Sequence, residues 1–341
     1  MSKLGMMMGL LPIAASGQYL ELFTEAEANG ALGGDAFAIP FFDTSATSGG
    51  TVYSLFRGLP SDGTGIVAYE TTTSQFSVVA TPGQIAAASG GGGVGVKYGF
   101  TVIDGGSTLR YLDFFGNAIY DTEIATGTTT QVSSTTDSIT ANTLFRGDGS
   151  GFAYDSGNDR ILSISSTGTF TELLDSTDLT VLTGDDRISG SLGLSGDTLY
   201  IGSSQTDDLF FWDLSLGSGG TVFSSVSIDA VSDDPDGSVG FGDIFAAPDG
   251  LVYFYESDSD AVFSFDPGDP DGSLAVVLDE AALNGGPGSD RVSEFFWLDG
   301  ELGWADDADG AYVVPEPRLT AVALGLAGLL LVLRRRRGRR A

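Results

Sequence analysis

A single strand pattern recurs six times along the chain of 341 residues, and this repetition limits the folds that the sequence can adopt. Each copy starts at an apolar anchor and continues with small, β-branched or aromatic residues, as in Leu251-Val252-Tyr253-Phe254. After each of the last four copies, an Asp-rich turn leads into a second strand such as Ala261–Asp266. The anchors are spaced by 43, 43, 47, 52 and 51 residues and are Ile66, Leu109, Phe152, Leu199, Leu251 and Leu302.

The repeat unit predicts an all-β fold. Its β-branched and aromatic runs are separated by turns rich in Gly, Asp, Ser and Thr, which is typical of strands joined in hairpins. Only Gln84–Ala88 and Asp279–Leu283 have a helical pattern, and we expect a single helical turn on a loop at each. Units of about 40–50 residues that hold about four short strands predict a β-propeller of about six blades.

The sixth unit is incomplete, because the stretch from about 291 to 314 runs out before its outer strands. The strand Phe37–Phe42 is predicted to complete this blade and close the ring, which leaves no open sheet edge. A pair of β-sandwiches or a β-helix is the alternative fold. A sandwich would not require even spacing, and a β-helix would repeat roughly every 20–25 residues.

The repeat resembles the loosely conserved propellers of the NHL, SMP-30 and YVTN kind. In those propellers a strand reading Gly-x-hydrophobic-Tyr precedes one reading Asp-x-hydrophobic-x-hydrophobic-Asp. Gly250–Tyr253 fits the first pattern here, and Asp208–Asp213 fits the second. The resemblance concerns the fold and implies no activity, because one fold supports many functions.

The C-terminal segment 314–341 has three parts in a fixed order. The motif Val314-Pro315-Glu316-Pro317 precedes the uncharged run 319–333, which precedes a basic end at 334–341. As a helix the run would be about 22 Å long against a hydrocarbon core of about 30 Å, so we predict a short transmembrane helix with flanking arginines that snorkel. The arginines that stop transfer and keep this end cytoplasmic are Arg334, Arg335, Arg336, Arg337, Arg339 and Arg340.

This order of motif, apolar run and arginines resembles the PEP-CTERM sorting domain of Gram-negative bacteria. The resemblance implies that exosortase, a membrane-embedded cysteine protease or transpeptidase, recognises Val314, Pro315, Glu316 and Pro317 and processes the chain there. It also implies release or transfer to the envelope, often in strains that make exopolysaccharide. Arg318 departs from the pattern by placing a charge directly after the motif. An ordinary single-pass anchor is the alternative.

The N-terminal segment 1–17 is predicted to be a signal peptide. Lys3 precedes an apolar stretch from Leu4 to Ala15 that Pro12 interrupts, and small residues follow. A plain N-terminal tail is the alternative. The predicted organisation is therefore a signal peptide over 1–17, a propeller over 18–313 and a sorting tail over 314–341, with the propeller on the periplasmic side of an anchored precursor and later at the cell surface or outside the cell.

The composition excludes several kinds of chemistry. The chain has no Cys and no His, which excludes disulfides, Cys-type zinc sites and Ser-His-Asp or Cys-His catalysis. The part before Arg318 holds 46 acidic and eight basic residues, a net charge of −38. Such a surface repels nucleic acid and acidic polymers and attracts divalent cations and basic partners.

The Asp-rich turns are the candidate ligand sites. Calcium takes six to eight oxygen ligands, and aspartates clustered before a Gly supply some of them. The alternative is that Asp and Gly are simply the residues that exposed turns use. The candidate calcium ligands are Asp266, Asp269, Asp271, Asp306, Asp307 and Asp309.

Two functions are compatible with these features. The first is a non-enzymatic, exported envelope or matrix protein, whose acidic propeller is a binding or structural module for exopolysaccharide or other envelope components. The second is a secreted carbohydrate-active hydrolase or lyase that uses paired carboxylates. Acids gathered at the propeller axis would favour the enzyme, and acids confined to outer turns would favour the binding module. Trp212, Trp297 and Trp304 are either core residues or a platform on which sugars stack.

Overall fold

Within the residues that the structure describes, the chain forms six antiparallel sheets of four strands each. The computed structural model describes residues 20–24, 27–28, 45–57, 64–88, 96–113, 117–185, 187–188, 191–232, 239–284, 292, 294–306 and 310–314. Within these ranges, no helix is long and apolar enough to cross a membrane. The predicted signal peptide over 1–17 and the predicted transmembrane run 319–333 lie outside them.

Each sheet is one blade, and five blades are built from consecutive strands. Blade 1 holds β2 (Ser45–Ser48), β3 (Thr51–Arg57), β4 (Thr64–Glu70) and β5 (Gln75–Ala80); blade 2 holds β6 (Val96–Ile103), β7 (Thr108–Asp113), β8 (Ala118–Glu123) and β9 (Thr129–Ser134); blade 3 holds β10 (Ile139–Phe145), β11 (Gly151–Asp155), β12 (Arg160–Ile164) and β13 (Phe170–Leu174); blade 4 holds β14 (Leu192–Ser195), β15 (Thr198–Ser203), β16 (Asp208–Asp213) and β17 (Ser218–Phe223); blade 5 holds β18 (Phe241–Ala246), β19 (Val252–Glu256), β20 (Ala261–Phe265) and β21 (Ala275–Leu278); blade 6 holds β22 (Glu294–Leu298), β23 (Glu301–Asp306), β24 (Gly310–Val313) and, as its outermost strand, β1 (Leu20–Thr24).

The blades form a closed ring. The first strands β2, β6, β10, β14, β18 and β22 contact one another in that order, and β22 contacts β2. The blades approach closely at some of these contacts: a Cβ on Gly99 would lie 2.6 Å from the carbonyl oxygen of Thr143, and one on Gly193 would clash with Ile244. The prediction of an all-β propeller of six blades is confirmed.

The ring is closed by β1, and the sequence-based choice of Phe37–Phe42 as the closing strand is therefore wrong. Leu20 pairs with Val313 and Thr24 pairs with Gly310 in antiparallel register. Phe23 is buried and lies against the rings of Tyr69 and Phe76 of blade 1, with centroids 4.7 and 5.0 Å away. Residues 37–42 lie outside the described part of the chain.

The first predicted anchor, Ile66, is also wrong, because it lies on a different strand of its blade from the other five anchors. Five anchors lie on or beside the second strand of their blade, but Ile66 lies on β4, the third strand of blade 1. The equivalent stretch is Thr51-Val52-Tyr53 on β3. Val52 and Ile66 are both buried, so one apolar pattern marks two neighbouring strands of this blade.

The turns lie on two opposite faces. The lower face carries the turns between first and second strands and between third and fourth strands. The upper face carries the turns between second and third strands and the connections from one blade to the next. Five short helices are present among the described residues: α1 (Pro82–Ala88), α2 (Ser176–Thr183), α3 (Ser225–Asp229), α4 (Pro270–Ser273) and α5 (Glu280–Asn284). A 3₁₀ turn spans Asp104–Gly106.

Five of the six blade-to-blade connections hold the same capped corner within the described ranges. A Ser, Thr or Asp side chain bonds to the residue three positions later, and the residue after that is a buried aliphatic. The corners are Thr24/Glu27/Ala28, Thr81/Gln84/Ile85, Asp175/Asp178/Leu179, Ser224/Ser227/Ile228 and Asp279/Ala282/Leu283. The helical turns predicted at 84–88 and 279–283 are confirmed as parts of this repeated corner.

Candidate functional site: the upper face and the inner strands

The second strand of several blades ends in a buried polar residue on the upper face. Asp113, Asp155 and Glu256 occupy this position in blades 2, 3 and 5, and Ser203 occupies it in blade 4. An uncompensated carboxylate is costly to bury, so each such group requires hydrogen bonds or a cationic partner. The hydrogen-bond partners of Asp155 and Glu256 show which structural role this position has.

In blade 3, Asp155 ties the start of the first strand to the turn after the second. Its Oδ1 accepts hydrogen bonds from the backbone N–H groups of Ser138 and Gly157, both at 3.1 Å. Its Oδ2 accepts from Asn158 Nδ2 at 2.7 Å and from Arg160 Nε at 2.9 Å. Burial alone would raise the pKa of Asp155, but these hydrogen bonds outweigh it and hold the pKa below its ordinary value.

Arg160 gathers three carboxylates around the same turn. Its Nη2 donates to Asp137 at 2.8 Å and its Nη1 donates to the exposed Glu172 at 2.9 Å, in addition to the bond with Asp155. The guanidinium thus neutralises part of the acidic surface at this corner, and its bonds to Glu172 and Asp155 raise its pKa further.

In blade 5, Glu256 makes the same connection without an arginine. Its Oε1 accepts from the N–H groups of Gly240 at 2.9 Å and Asp258 at 2.8 Å, and its Oε2 accepts from Ser259 at 2.7 Å. Gly240 precedes the first strand of blade 5 as Ser138 precedes that of blade 3. Glu256 and Asp155 therefore make equivalent connections between the start of the first strand and the turn after the second strand. We call these two carboxylates the locks of blades 5 and 3.

A tyrosine and an aspartate accompany each lock. Tyr154 donates its hydroxyl hydrogen to Asp159 at 3.0 Å, and Tyr255 donates to Asp260 at 2.7 Å. Both aspartates have positive φ, 49° and 47°, and so make the turn itself. Burial raises the pKa of Tyr154 to about 12, so this hydroxyl stays protonated and acts as a donor.

Blade 4 departs from this arrangement. Ser203 is fully buried, and its Oγ has no hydrogen-bond partner among the described residues. The side chains of Thr206 in the same turn and of Ser259 in the matching turn of blade 5 also have buried oxygens without a partner there. Blade 4 therefore has a short hydroxyl where blades 3 and 5 have a carboxylate.

Asp243 is the acidic residue that interrupts an inner strand. It lies on β18, where the pairing with β19 shifts register between Phe241 and Ile244. Its Oδ2 accepts from the N–H of Phe295 on the next inner strand at 2.7 Å, and its Oδ1 accepts from the N–H of Ile244 at 2.8 Å. Burial raises the pKa of Asp243 to about 6, although both hydrogen bonds act in the opposite direction.

The lower face carries exposed Asp-Gly turns. Asp148 and Asp249 each accept a hydrogen bond from the backbone N–H two residues later, and Asp299 has a positive φ of 52°. One exposed aspartate lies at the turn between first and second strands in five blades: Asp104, Asp148, Asp197, Asp249 and Asp299. This series of one acid in each of five blades was missed in the sequence, although its spacing of 44, 49, 52 and 50 residues is regular.

The predicted calcium ligands are only partly described. Asp266, Asp269 and Asp271 are exposed on the connection between β20 and β21, where Asp266 Oδ1 accepts from the N–H of Gly268 at 2.8 Å. Asp306 ends β23, and Asp307 and Asp309 lie outside the described ranges. Within those ranges, no group of three or more acidic residues could hold a metal ion. Calcium binding at these residues stays a prediction.

Two further sequence-based candidates can be placed. Val314 is described and donates its N–H to the carbonyl of Leu302 at 2.8 Å, whereas Pro315, Glu316, Pro317 and the six arginines lie outside the described residues.

The three tryptophans pack against apolar clusters. Trp304 is buried and stacks on Tyr312 with centroids 5.4 Å apart, which agrees with a packing role.

Comparisons with known proteins agree with this architecture. No protein-family model matches the chain, and no curated protein matches it. Solved propeller structures do match. Virginiamycin B lyase from Staphylococcus aureus is 12% identical, with a TM-score of 0.51 over 86% of this chain and 87% of that one. A calcium-binding regucalcin from Agrobacterium tumefaciens is 14% identical, with a TM-score of 0.52 over 82% and 93%. A luciferin-regenerating enzyme is 8% identical, with a TM-score of 0.54 over 88% and 96%.

The body is a six-bladed β-propeller. At these identities the likeness concerns the fold alone, and it agrees with the resemblance to SMP-30-type propellers. The similar structures include enzymes and a protein described as calcium-binding, so they do not select an activity for this chain.

Proposed function

We propose that this protein is an exported envelope or matrix component, in which segment 314–341 is a sorting tail and the propeller is a non-catalytic binding module. The observation that carries the proposal is the position of the motif relative to the last strand. β24 ends at Val313, and the backbone bond from Val314 to Leu302 holds the chain to the blade up to the first motif residue. Processing within Pro315–Pro317 would therefore leave all six blades whole.

The distribution of acidic residues supports a binding role over catalysis. On the described inner strands the acidic residues are Asp243 and Glu294, and the other described acids lie on the outer three strands of the blades, on turns and on connections. Both carboxylate oxygens of Asp155 and of Glu256 already accept structural hydrogen bonds. Glycoside chemistry needs two carboxylates that face one bond with space between them, and the engaged groups do not supply that arrangement.

The charge of the body limits the partner. A net charge of −38 before Arg318 disfavours acidic polysaccharides and nucleic acid, and it favours neutral glycans or basic envelope proteins. The processing partner is exosortase, which would reach the motif at the membrane.

Calcium is a subsidiary hypothesis: the regucalcin with a similar fold is described as calcium-binding. A rise in Tm with calcium that Asp269→Asn abolishes and Asp197→Asn does not would support it.

Intact-mass measurement of the protein from native envelope and medium fractions tests the proposal. We expect a species that ends near Pro315–Pro317, and an added mass at that end would indicate transfer to a carrier. Glu316→Ala should accumulate full-length protein, whereas Glu280→Ala, an exposed acid on α5, should be processed normally. Full-length wild-type protein that stays in the inner membrane would leave a plain anchor and refute sorting.

A further inference from the structure

The two ends of the propeller lie side by side. Leu20 at the start of β1 faces Val313 at the end of β24, and β1 runs antiparallel to β24. The chain therefore enters the propeller at the start of β1 and leaves it at the end of β24 at nearly the same point. Val314 bonds to Leu302 beside the Asp299-Gly300 turn, so this point is on the lower face.

The distance from this point to the predicted membrane segment is short. Four residues lie between Val314 and Leu319, where the uncharged run begins, so the two positions are five residue steps apart. A fully extended chain covers at most about 3.3–3.6 Å per residue, so the spacer reaches no further than roughly 17 Å. A propeller tethered this closely at its lower face cannot turn that face away from the membrane.

We propose that the anchored precursor holds its lower face toward the membrane and its upper face, with the locks of blades 3 and 5, away from it. This inference rests on the proposed function, because it needs segment 319–333 to be anchored. It goes beyond that function by assigning the orientation of the propeller above the membrane. The processing enzyme would instead work in the gap beneath the lower face.

The charge of the lower face determines how near the body comes to the lipid. Asp104, Asp148, Asp197, Asp249 and Asp299 are all exposed there. Anionic headgroups repel such a face, and at physiological ionic strength the repulsion extends over a Debye length of about 8 Å. This range is about half of the spacer length, so the body stands off the bilayer and the motif stays accessible to an enzyme in the gap.

Two matched single-cysteine variants test the orientation, because the chain contains no cysteine. Thr73→Cys lies in the β4–β5 turn of the lower face, and Thr136→Cys lies in the β9–β10 connection of the upper face; both threonines are exposed. Full-length protein carrying a donor dye at either site is reconstituted into phosphatidylethanolamine–phosphatidylglycerol vesicles with an acceptor on the headgroups. The strands between the faces span roughly 20 Å, so the dye pair is chosen for that distance.

We expect energy transfer from position 73 to exceed that from position 136 about twofold or more, given a separation of roughly one strand length. Equal or reversed transfer in protein that floats with the vesicles would overturn the orientation while leaving the anchor intact. Failure of the full-length protein to float would overturn the anchor, and with it both the orientation and the sorting function. A variant that lacks 319–341 is the flotation control, and it should stay with the soluble fraction.

Discussion

Asp243 on β18 accepts a hydrogen bond from the backbone N–H of Phe295 on β22 at 2.7 Å, and this bond joins the inner strands of blades 5 and 6. An inner strand has no neighbouring strand on its axial side, so its N–H groups need other acceptors. Thr47 makes a related connection between β2 and β22 by donating to the carbonyl of Trp297 at 2.6 Å. The ring is thus held at its centre by side chains as well as by apolar packing.

The stability of the protein should depend on the protonation of Asp243. Burial raises its pKa to about 6, whereas the unfolded chain has an ordinary value near 4, so the folded state binds more protons between these values. The contribution of Asp243 to stability is therefore largest below about pH 4 and falls as the pH rises through about 6, by at most about 3 kcal/mol. Asp243→Asn should flatten this part of the profile of unfolding free energy against pH.

The control for this prediction is Asp197→Asn on an exposed lower turn, which should leave the pH profile unchanged. Chemical denaturation at intervals between pH 4 and pH 7 supplies the measurement. A wild-type stability that rises steadily across this range, with the same slope in Asp243→Asn, would contradict the assignment.

The two upper-face locks should differ in their sensitivity to amide substitution. In Asp155→Asn, the new NH₂ would face the donors Asn158 Nδ2 and Arg160 Nε, so we expect a loss of roughly 2–4 kcal/mol. In Glu256→Gln, one N–H loses its acceptor, and we expect roughly 1–2 kcal/mol. Urea denaturation at pH 7 measures both values.

Glu172→Gln is the matched control for Asp155→Asn, because Glu172 binds the same arginine from an exposed position. Exposed ion pairs contribute less than about 1 kcal/mol, so this variant should be close to wild type. Since the pKa of Asp155 lies below its ordinary value, the contribution of Asp155 is lost as the pH falls. Equal losses of unfolding free energy in Asp155→Asn, Glu256→Gln and Glu172→Gln would contradict the structural role of the two buried carboxylates.

The sequence could predict the blades because each one repeats a local pattern. It could not identify the closing strand, because Leu20–Thr24 pairs with residues at the opposite end of the chain, and local propensity carries no information about that partner. The aromatic stretch Phe37–Phe42 has the stronger strand pattern. The error at Ile66 has a related cause, since β3 and β4 carry similar apolar runs and strand order within a blade is a tertiary property.

The candidate site was harder to predict than the fold. Asp155 and Glu256 end their strands as ordinary turn acids in the sequence, and their role depends on the first strand that begins beside them. The capped corners had a usable signal, because a Ser, Thr or Asp four residues before a buried aliphatic recurs after most outer strands. Asp243 had none, since its acceptor role arises from a register shift and a neighbouring blade.

Arg110 should be irreplaceable by lysine. It is 5% exposed, holds Asp121 through Nε and Nη2 at 2.8 and 2.7 Å, and donates through Nη1 to the carbonyls of Gly149 and Ser166 in blade 3. Lysine cannot make this planar set of bonds, so Arg110→Lys should cost roughly 3 kcal/mol. Arg146→Lys, which removes a guanidinium 5.4 Å from the Phe152 ring and keeps the positive charge, should cost about 1 kcal/mol or less. Similar losses in the two variants would contradict the special role of Arg110.

The closing strand can be tested by disulfide cross-linking, because the native chain contributes no competing thiol. Leu20 and Val313 face each other, and facing Cα atoms in an antiparallel pair are about 4.5–5.5 Å apart, within the range that a disulfide spans. The double variant Leu20→Cys/Val313→Cys should therefore oxidise readily in the full chain. The cross-link closes almost the whole propeller into one loop, so the oxidised form should be more stable than its reduced form by roughly 2–4 kcal/mol.

Two comparison variants make this test decisive. In Leu20→Cys/Ala311→Cys the second cysteine is displaced by two positions along β24, to a diagonal distance of roughly 7–8 Å, so oxidation should be slow or absent. In Ile39→Cys/Val313→Cys the first cysteine lies in the strand that the sequence favoured. Fast cross-linking at position 39 with none at position 20 would show that the N-terminal strand closes the ring from 37–42 and that the pairing of β1 with β24 is incorrect. Fast cross-linking at position 20, with Tm rising only on oxidation, would establish Leu20–Thr24 as the strand that joins the two ends of the propeller.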